Sequence, residues 1–263
     1  MDFSHFYRSQ WLFFDLDDTL WDFFKNSELS LRHVFSTFNE INGAFPSFEE
    51  FSEVYHRHNA SLWNAFAEGS VTSSLLKTER WRRTLFADAD PLEPPEICSV
   101  IDREYLHFLS EQPTLVDGAQ EMLTNLSKDY MIAVLSNGFI DTQYRKLLFS
   151  GLWRFVTRTV VSDEAGFQKP DPRLYEYAVN ATGATGTPIM IGDNPATDIL
   201  GALRAGWCAI WYNPGHKPLP WTDKELRDEG IAPSLFLGSA SNMEEVERII
   251  RSTSRRRDLG ACR

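Results

Sequence analysis

The sequence has few cysteines, no long apolar run and no excess of positive charge. Its three cysteines, Cys98, Cys208 and Cys262, lie far apart and form no CxxC pair. Neither a disulfide framework nor a zinc site is therefore predicted, and a reducing cytoplasm is favoured. No segment approaches the roughly 18 apolar residues of a membrane helix. Asp15 interrupts the one N-terminal apolar run, so we expect no signal peptide.

The charge balance limits the class of partner. The formal net charge is −11, whereas nucleic acid and anionic membranes need a basic face, so neither is predicted as the main partner. The one basic cluster, Arg255–Arg257, lies among small polar residues near the C-terminus. We therefore predict a flexible, solvated tail over residues 251–263. The sequence predicts no oligomeric state.

Short apolar runs recur along the chain, and most of them end at a polar residue. The runs are WLFF (11–14), MIAVL (131–135), TVV (159–161), IMI (189–191) and CAIWY (208–212). Helical patterns lie between them over residues 119–128, 171–183 and 195–206. This alternation predicts an α/β fold with a doubly wound, mainly parallel sheet. In such sheets ligands bind at the carboxyl ends of the strands, where the polar residues fall here.

The segment from residue 23 to residue 112 lacks such strand runs. Its apolar residues repeat at three to four positions, which is typical of amphipathic helices. We therefore predict a helical cap domain over 23–112, inserted into a core domain made of 1–22 and 113–250.

Three acidic residues, Asp15, Asp17 and Asp18, follow directly after the first apolar run. Burying carboxylates beside a hydrophobic strand costs free energy that some other group must offset. A calcium-binding EF-hand loop is excluded, because its later ligand and glycine positions hold the wrong residue types. A site for phosphoryl transfer fits better: Asp15 would be the nucleophile, Asp17 the general acid and base, and Mg²⁺ the compensating cation.

Three later loops supply what such a site needs. The segment GDNPATD contributes Asp193 and Asp198, which could complete and orient the metal shell. Phosphate oxygens need a hydroxyl and backbone N–H groups, which the SNG segment offers through Ser136 and Asn137. A cation must offset the transferred charge, and Lys169 in QKPDP can do so.

The order of these four motifs resembles the haloacid dehalogenase-like (HAD) hydrolase superfamily. The family's DxDxT motif matches Asp15, Asp17 and Thr19, and its second motif matches the strand that ends at Ser136. Its lysine motif and its GDxxxxD motif match the QKP and GDNPATD segments. The helical insertion looks like the family's C1-type cap.

The resemblance implies a role for each matching residue. Asp15 would attack phosphorus and become an aspartyl-phosphate, and Asp17 would protonate the leaving oxygen and then activate water. Ser136 and Asn137 would hold phosphate oxygens, and Lys169 would stabilise Asp15 and the phosphate. Mg²⁺ would bind Asp15, the carbonyl of Asp17, and Asp193, while Thr19 and Asp198 would support this arrangement.

The resemblance also narrows the reaction and the substrate. In the haloacid dehalogenases of this superfamily the first motif is similar to DxYGT, and these enzymes use no metal. This chain has Asp17 in that motif instead, which favours a phosphatase. Two segments around residues 13–31 and 161–178 look like the YjjG-type pyrimidine 5′-nucleotidases, so the implied partner is a small phosphorylated metabolite, a nucleotide. Trp21, Phe24 and Asn26 are the substrate candidates; the two aromatics would stack on a base or pack at the hinge.

Other functions stay open at this stage. The same residues would serve a phosphatase of sugar phosphates or phosphoglycolate, or a phosphomutase that passes the phosphoryl group to a sugar. A binding protein that keeps the fold without turnover is a third class. Phosphate release would separate it from the enzymes.

Overall fold

A computed structural model describes residues 10–67 and 69–258 of the chain. The chain divides into two compact units. We call residues 1–22 with 114–263 the core unit, and residues 23–113 the helical unit. Nowhere in the described part of the chain does a helix combine the length and the apolar character that a membrane span needs.

The core unit is built on one parallel sheet. Its strands are β1 (Trp11–Phe14), β2 (Met131–Ser136), β3 (Arg158–Val161), β4 (Ile189–Gly192), β5 (Cys208–Tyr212) and β6 (Phe236–Ala240). They lie in the order β3-β2-β1-β4-β5-β6, and every neighbouring pair is parallel. The predicted α/β fold class is thereby confirmed. The strand order reverses between β1 and β4, which is where open α/β sheets bind their ligands.

Twelve α-helices accompany these strands within the described residues. In chain order they are α1 (Phe23–Thr37), α2 (Asn39–Asn42), α3 (Phe48–Ala67), α4 (Ser73–Leu85), α5 (Glu96–Ser110), α6 (Ala119–Leu126), α7 (Ile140–Phe149), α8 (Ser162–Ala165), α9 (Pro172–Thr182), α10 (Gly201–Arg204), α11 (Asp223–Asp228) and α12 (Met243–Asp258). Short 3₁₀ turns at Leu152–Arg154 and Pro233–Leu235, and a π-type turn at Pro195–Leu200, complete the described secondary structure.

Strand β1 is apolar throughout because both faces of the sheet are covered. All four of its residues are buried. Phe13 lies in a core cluster with residues of α9 and α10, and its ring centroid is 4.5 Å from that of Trp207. Since side chains alternate along a strand, Leu12 and Phe14 face the opposite side, where they are also fully buried. A strand buried on both faces cannot show a polar–apolar alternation.

The five predicted strands are present, and the structure adds a sixth. Strand β6 was not predicted because Gly238 and Ser239 interrupt its apolar character and most of it is only half-buried at the sheet edge. The helix predicted over 195–206 is divided into the π-type turn and α10.

The end of the chain differs from the prediction. Helix α12 continues to Asp258, so the tail predicted from residue 251 begins inside this helix. Arg251 anchors that part of the helix through ion pairs with Glu247 at 2.7 Å and Asp129 at 3.0 Å. The remainder of the predicted tail, residues 259–263, lies outside the described residues.

The helical unit has its own aromatic interior. Tyr55, Trp81 and Tyr105 are fully buried against one another, with ring centroids 4.8–5.6 Å apart. Asp102 accepts hydrogen bonds from the Trp81 indole at 2.8 Å and from the guanidinium of Arg80. Trp81 is therefore a packing residue of this interior.

Candidate active site

The segment after β1 closes into a tight turn held by backbone hydrogen bonds. The N–H groups of Leu20 and Trp21 both donate to the carbonyl of Leu16 at 2.9 Å, and that of Asp18 donates to the carbonyl of Trp21 at 2.8 Å. Asp18 is exposed and has φ 56°, a left-handed conformation that aspartate tolerates better than most residues. Asp18 thus shapes the turn that presents its two acidic neighbours.

Lys169 is the buried cation of the site. Its Nζ donates to Asp15 Oδ1 at 2.5 Å, to Asp198 Oδ1 at 2.7 Å and to the carbonyl of Leu135 at 2.9 Å. Burial alone would lower the pKa of Lys169, but the carboxylates of Asp15 and Asp198 outweigh burial and raise that pKa above its usual value. The ammonium is thus charged, and its three donors are all used.

Asp15, Asp193 and Asp198 form a carboxylate cluster in which one oxygen from each residue lies within 4.8 Å of the other two. Burial raises the pKa of Asp15 to about 7 against the opposing charge of Lys169. Burial, followed by the charges of Asp198 and Asp15, raises the pKa of Asp193 to about 8. One ammonium does not balance three carboxylates, so the cluster fits a further cation. Its all-oxygen donor set suits a hard divalent ion such as Mg²⁺.

Asp198 is held from two sides. Its Oδ1 accepts from Lys169, and its Oδ2 accepts from the N–H of Asn194 at 3.0 Å. Gly192 permits this approach, because a Cβ there would lie 2.3 Å from Asp198 Oδ2. The Asn194 side chain caps the following π-type turn by accepting from the N–H of Ala196 at 3.0 Å and of Thr197 at 3.1 Å. Asp198 is therefore fixed as a partner of Lys169.

Two further predicted residues, Asn137 and Thr19, form hydrogen bonds with the loops of the site. Asn137 donates from Nδ2 to the carbonyl of Lys169 at 2.9 Å, and its Oδ1 accepts from the N–H of Lys169 at 2.7 Å. This reciprocal pair ties the loop after β2 to the lysine loop. Thr19 is fully buried, and its hydroxyl donates to Asp193 Oδ1 at 3.4 Å.

Asp17 is held by two residues that the sequence analysis did not single out. Gln143 Nε2 donates to Asp17 Oδ2 at 2.8 Å and to Ser136 Oγ at 2.7 Å. Lys146 Nζ donates to Asp17 Oδ1 at 2.6 Å. Both residues lie on α7, directly after the SNG segment, where polar side chains three apart are typical of a solvated helix face. Only their burial distinguishes them.

Of the three predicted substrate residues, two are buried and one is exposed. Trp21 is completely buried, with the Lys146 ammonium 4.4 Å from its ring centroid. Of the two alternatives given for Trp21, stacking on a base or packing at the hinge, this complete burial favours packing. Asn26 is also completely buried, within α1, and its contact with substrate stays a prediction. Phe24 is 62% exposed, and its ring lies parallel to that of His56 at 6.0 Å.

The core unit thus brings together, through strand ends and the loops after them, the predicted chemical residues Asp15, Asp17, Ser136, Asn137, Lys169, Asp193 and Asp198.

Known proteins share this arrangement of the chain. Residues 10–206 match the family described as haloacid dehalogenase-like hydrolase. The HAD-hydrolase YfnB of Bacillus subtilis is 33% identical over 80% of this chain and 87% of its own length. Its magnesium-bound crystal structure superposes with a TM-score of 0.75, covering 93% of this chain and 99% of that one at 28% identity.

Two further relatives are named for their substrates. The pyrimidine 5′-nucleotidase YjjG of Escherichia coli is 29% identical over 90% of this chain and 96% of its own. The glyceraldehyde 3-phosphate phosphatase of Methanothermobacter thermautotrophicus is 29% identical over 77% of this chain and 84% of its own. These relatives match 77–90% of the present chain.

Proposed function

The chain belongs to the haloacid dehalogenase-like hydrolase family and is a phosphoric monoester hydrolase, and from that premise we propose that it is a Mg²⁺-dependent nucleotidase. It would act on pyrimidine nucleoside 5′-monophosphates through an aspartyl-phosphate at Asp15. The main support for Asp15 as the nucleophile is the buried Lys169 ammonium, which forms ion pairs with both Asp15 and Asp198. It holds the Asp15 carboxylate in one orientation and offsets negative charge where a phosphate would arrive.

In the first half-reaction a carboxylate oxygen of Asp15 attacks phosphorus. The new O–P bond forms as the bond between phosphorus and the ester oxygen breaks. Asp17 gives its proton to that leaving oxygen, so the nucleoside departs as an alcohol. Lys169, the Ser136 hydroxyl and the backbone N–H of Asn137 stabilise charge on the phosphoryl oxygens.

In the second half-reaction water replaces the alcohol. Asp17, now a carboxylate, takes a proton from that water while the water oxygen attacks phosphorus. The bond between phosphorus and Asp15 breaks, releasing phosphate and restoring the carboxylate of Asp15. Asp17 ends the cycle protonated, ready for the next substrate.

The residues that would hold Mg²⁺ are Asp15, Asp193 and the backbone carbonyl of Asp17. When bound, the ion supplies charge neutralisation between the carboxylates and the anionic substrate. Asp198 has both oxygens engaged by Lys169 and Asn194, so we assign it the supporting role of holding the lysine. Thr19, which donates to Asp193, supports the other side of the site.

The nucleotide substrate rests on the relationship to YjjG, which spans 90% of this chain. Phe24 adds a second support, since it is an exposed aromatic side chain at the start of α1. Aromatic rings stack on nucleobases regardless of sequence context. The buried cysteines Cys98 and Cys208 form no disulfide within the described residues, which is in keeping with activity in a reducing cytoplasm.

Phosphate release from a substrate panel tests this proposal. The panel contains UMP, dUMP and dTMP, with AMP, glucose 6-phosphate, phosphoglycolate and glyceraldehyde 3-phosphate as competitors. We expect the highest kcat/KM for the pyrimidine nucleotides, loss of activity in EDTA and recovery with Mg²⁺. Asp15→Asn should abolish release of phosphate.

Three outcomes would contradict parts of the proposal. A clear preference for a sugar phosphate or phosphoglycolate would replace the nucleotide assignment while leaving the chemistry intact. Conversion of a hexose phosphate to its isomer without phosphate release would identify a phosphomutase. Phosphate release that persists in Asp15→Asn would overturn the mechanism itself.

A further inference from the structure

We propose that Gln143 and Lys146 of α7 are positioning residues that hold the Asp17 carboxyl group in place for proton transfer. This inference rests on the proposed function, because it needs Asp17 to act as acid and base. The two side chains contact different oxygens of the same carboxylate, at 2.8 Å from Gln143 and 2.6 Å from Lys146. A carboxyl group held at both oxygens cannot rotate about its terminal torsion.

Lys146 is buried around its ammonium group. Only 3% of its side chain is exposed, and the ammonium lies 4.4 Å from the centroid of the Trp21 ring. Trp21 belongs to the same turn as Asp17, so the lysine contacts this turn through a charge pair and through an aromatic face. The buried Trp21 ring thus packs against the lysine.

Gln143 connects Asp17 with the phosphate-binding loop. Its Nε2 donates both to Asp17 and to Ser136 Oγ, which also accepts from the N–H of Gly138 at 3.2 Å. With two donors directed at its oxygen, the Ser136 hydroxyl has its own hydrogen left for a phosphate oxygen. The glutamine therefore aligns the proton-transfer group and a phosphate ligand with each other.

Gly138 gives this glutamine its space. A Cβ at Gly138 would lie 2.1 Å from Gln143 Nε2 and 2.4 Å from its Cδ. Gly138 does not have a positive φ, so the backbone conformation does not require glycine. Glycine is required instead by the close approach of the Gln143 amide, which explains Gly138 as the third residue of the SNG segment.

Stability alone does not explain the Lys146–Asp17 pair. The Asp17 side chain is 30% exposed and can be hydrated, whereas the ammonium of Lys146 is the group removed from water. Replacing a buried charge pair by apolar residues is often neutral or stabilising. A buried lysine directed at a half-exposed carboxylate therefore points to a role in orientation.

A double-mutant cycle with p-nitrophenyl phosphate in saturating Mg²⁺ tests this role. The single variants are Lys146→Met, which keeps the length of the side chain, and Asp17→Asn. We expect Lys146→Met to lower kcat by about 10- to 100-fold, as a misplaced catalytic group does, with KM falling in step because hydrolysis of the aspartyl-phosphate is the step that slows. In the Asp17→Asn background the same substitution should change kcat by less than about 2-fold, since residues that act as a unit are not additive.

Arg145→Met is the matched control, because it removes a cation from the neighbouring position of α7, where the guanidinium carbon lies 5.2 Å from the centroid of the Phe149 ring. It should leave kcat unchanged. Gln143→Leu is the second test variant and should lower kcat while also raising KM, through Ser136. It stands in for Lys146→Met if that variant does not fold.

Pre-steady-state release of p-nitrophenolate separates positioning from general damage. The nitrophenolate leaves without needing a proton, so Lys146→Met should keep a fast burst and lose the slower, water-dependent turnover. A folded Lys146→Met enzyme with unchanged kcat, or an equal loss in the Asp17→Asn background, would overturn the inference. Failure of the proposed function would be seen separately, as a wild-type protein that releases no phosphate from any ester.

Discussion

The Lys169 ammonium donates a hydrogen bond to the Asp15 carboxylate at 2.5 Å, across 154 residues of sequence. The same ammonium reaches Asp198 at 2.7 Å. This arrangement joins the ends of strands that are distant in the chain but close in the sheet, because β1 lies between β2 and β4. A cation placed there can hold the nucleophile and offset the charge of the group it attacks.

Lys169→Met should lower both stability and activity. The substitution leaves Asp15 and Asp198 buried without their cation, and breaking a buried pair in this way costs about 3–5 kcal/mol. We expect kcat to fall by about 10²- to 10³-fold, as loss of one charge-stabilising donor does. Urea unfolding and phosphate release measure the two effects. Lys128→Met, at an exposed position, is the control, and equal behaviour of the two variants would contradict this role.

The metal-free protein should lose stability as the pH rises. The pKa values of Asp15 and Asp193 are raised from 3.8 to about 7 and about 8, so folding disfavours their charged forms. Their contribution is fully present below pH 4 and is lost as the pH passes through about 7 to 8. Thermal unfolding in EDTA from pH 4 to pH 9 measures the decline.

Mg²⁺ should reverse this decline. Because the ion binds ionised carboxylates, it should raise Tm more at pH 8 than at pH 5. Asp193→Asn is the matched variant and should remove most of the gain. A rise in Tm that is the same at both pH values, or the same in Asp193→Asn, would argue against a metal site in this cluster.

Gly192→Ala should disturb the site through crowding. The added Cβ would lie 2.3 Å from Asp198 Oδ2, displacing the partner of Lys169. Overpacking of this kind costs about 1–3 kcal/mol, and we expect kcat to fall by at least about 10-fold. Gly215→Ala, whose Cβ would approach nothing closer than 3.8 Å, should leave both stability and kcat unchanged. Similar losses in the two variants would remove the crowding explanation.

Phe24→Ala tests whether an exposed aromatic contributes to base recognition. Stacking of a base on an aromatic side chain contributes about 1–3 kcal/mol, so KM for UMP should rise about 5- to 100-fold. KM for p-nitrophenyl phosphate, which has no nucleobase, should change much less. Leu92→Ala removes another exposed apolar residue of the helical unit and serves as the control. An unchanged KM for UMP would exclude Phe24 from substrate binding.

Strand positions and the acidic residues after them were predictable because their signals are local. WLFF is apolar because β1 is buried on both faces, and Asp15 follows where the strand ends. The same reasoning missed β6, whose Gly238 and Ser239 leave no apolar run, since pairing with β5 determines the strand.

The partners of Asp17 could not be predicted from local pattern. Gln143 and Lys146 have the spacing of a solvated helix face, and they are buried through contacts with Asp17, Ser136 and Trp21 that only the fold creates. The orientation of the Trp21 ring could not be predicted from local pattern either. Its neighbourhood indicated an aromatic near the site, but whether it faces substrate or lysine depends on α7, more than 100 residues later in the sequence.

Chemical trapping of the intermediate tests the central claim most directly. Asp17→Asn should slow the water step, so protein mixed with p-nitrophenyl phosphate and Mg²⁺ should accumulate phosphate on Asp15. Borohydride reduces such an acyl phosphate to homoserine, which peptide mass spectrometry locates. We expect homoserine at position 15 and none in the Asp15→Asn, Asp17→Asn double variant. Phosphate release by the wild-type enzyme with no trapped label at position 15, or with label at another residue, would contradict it.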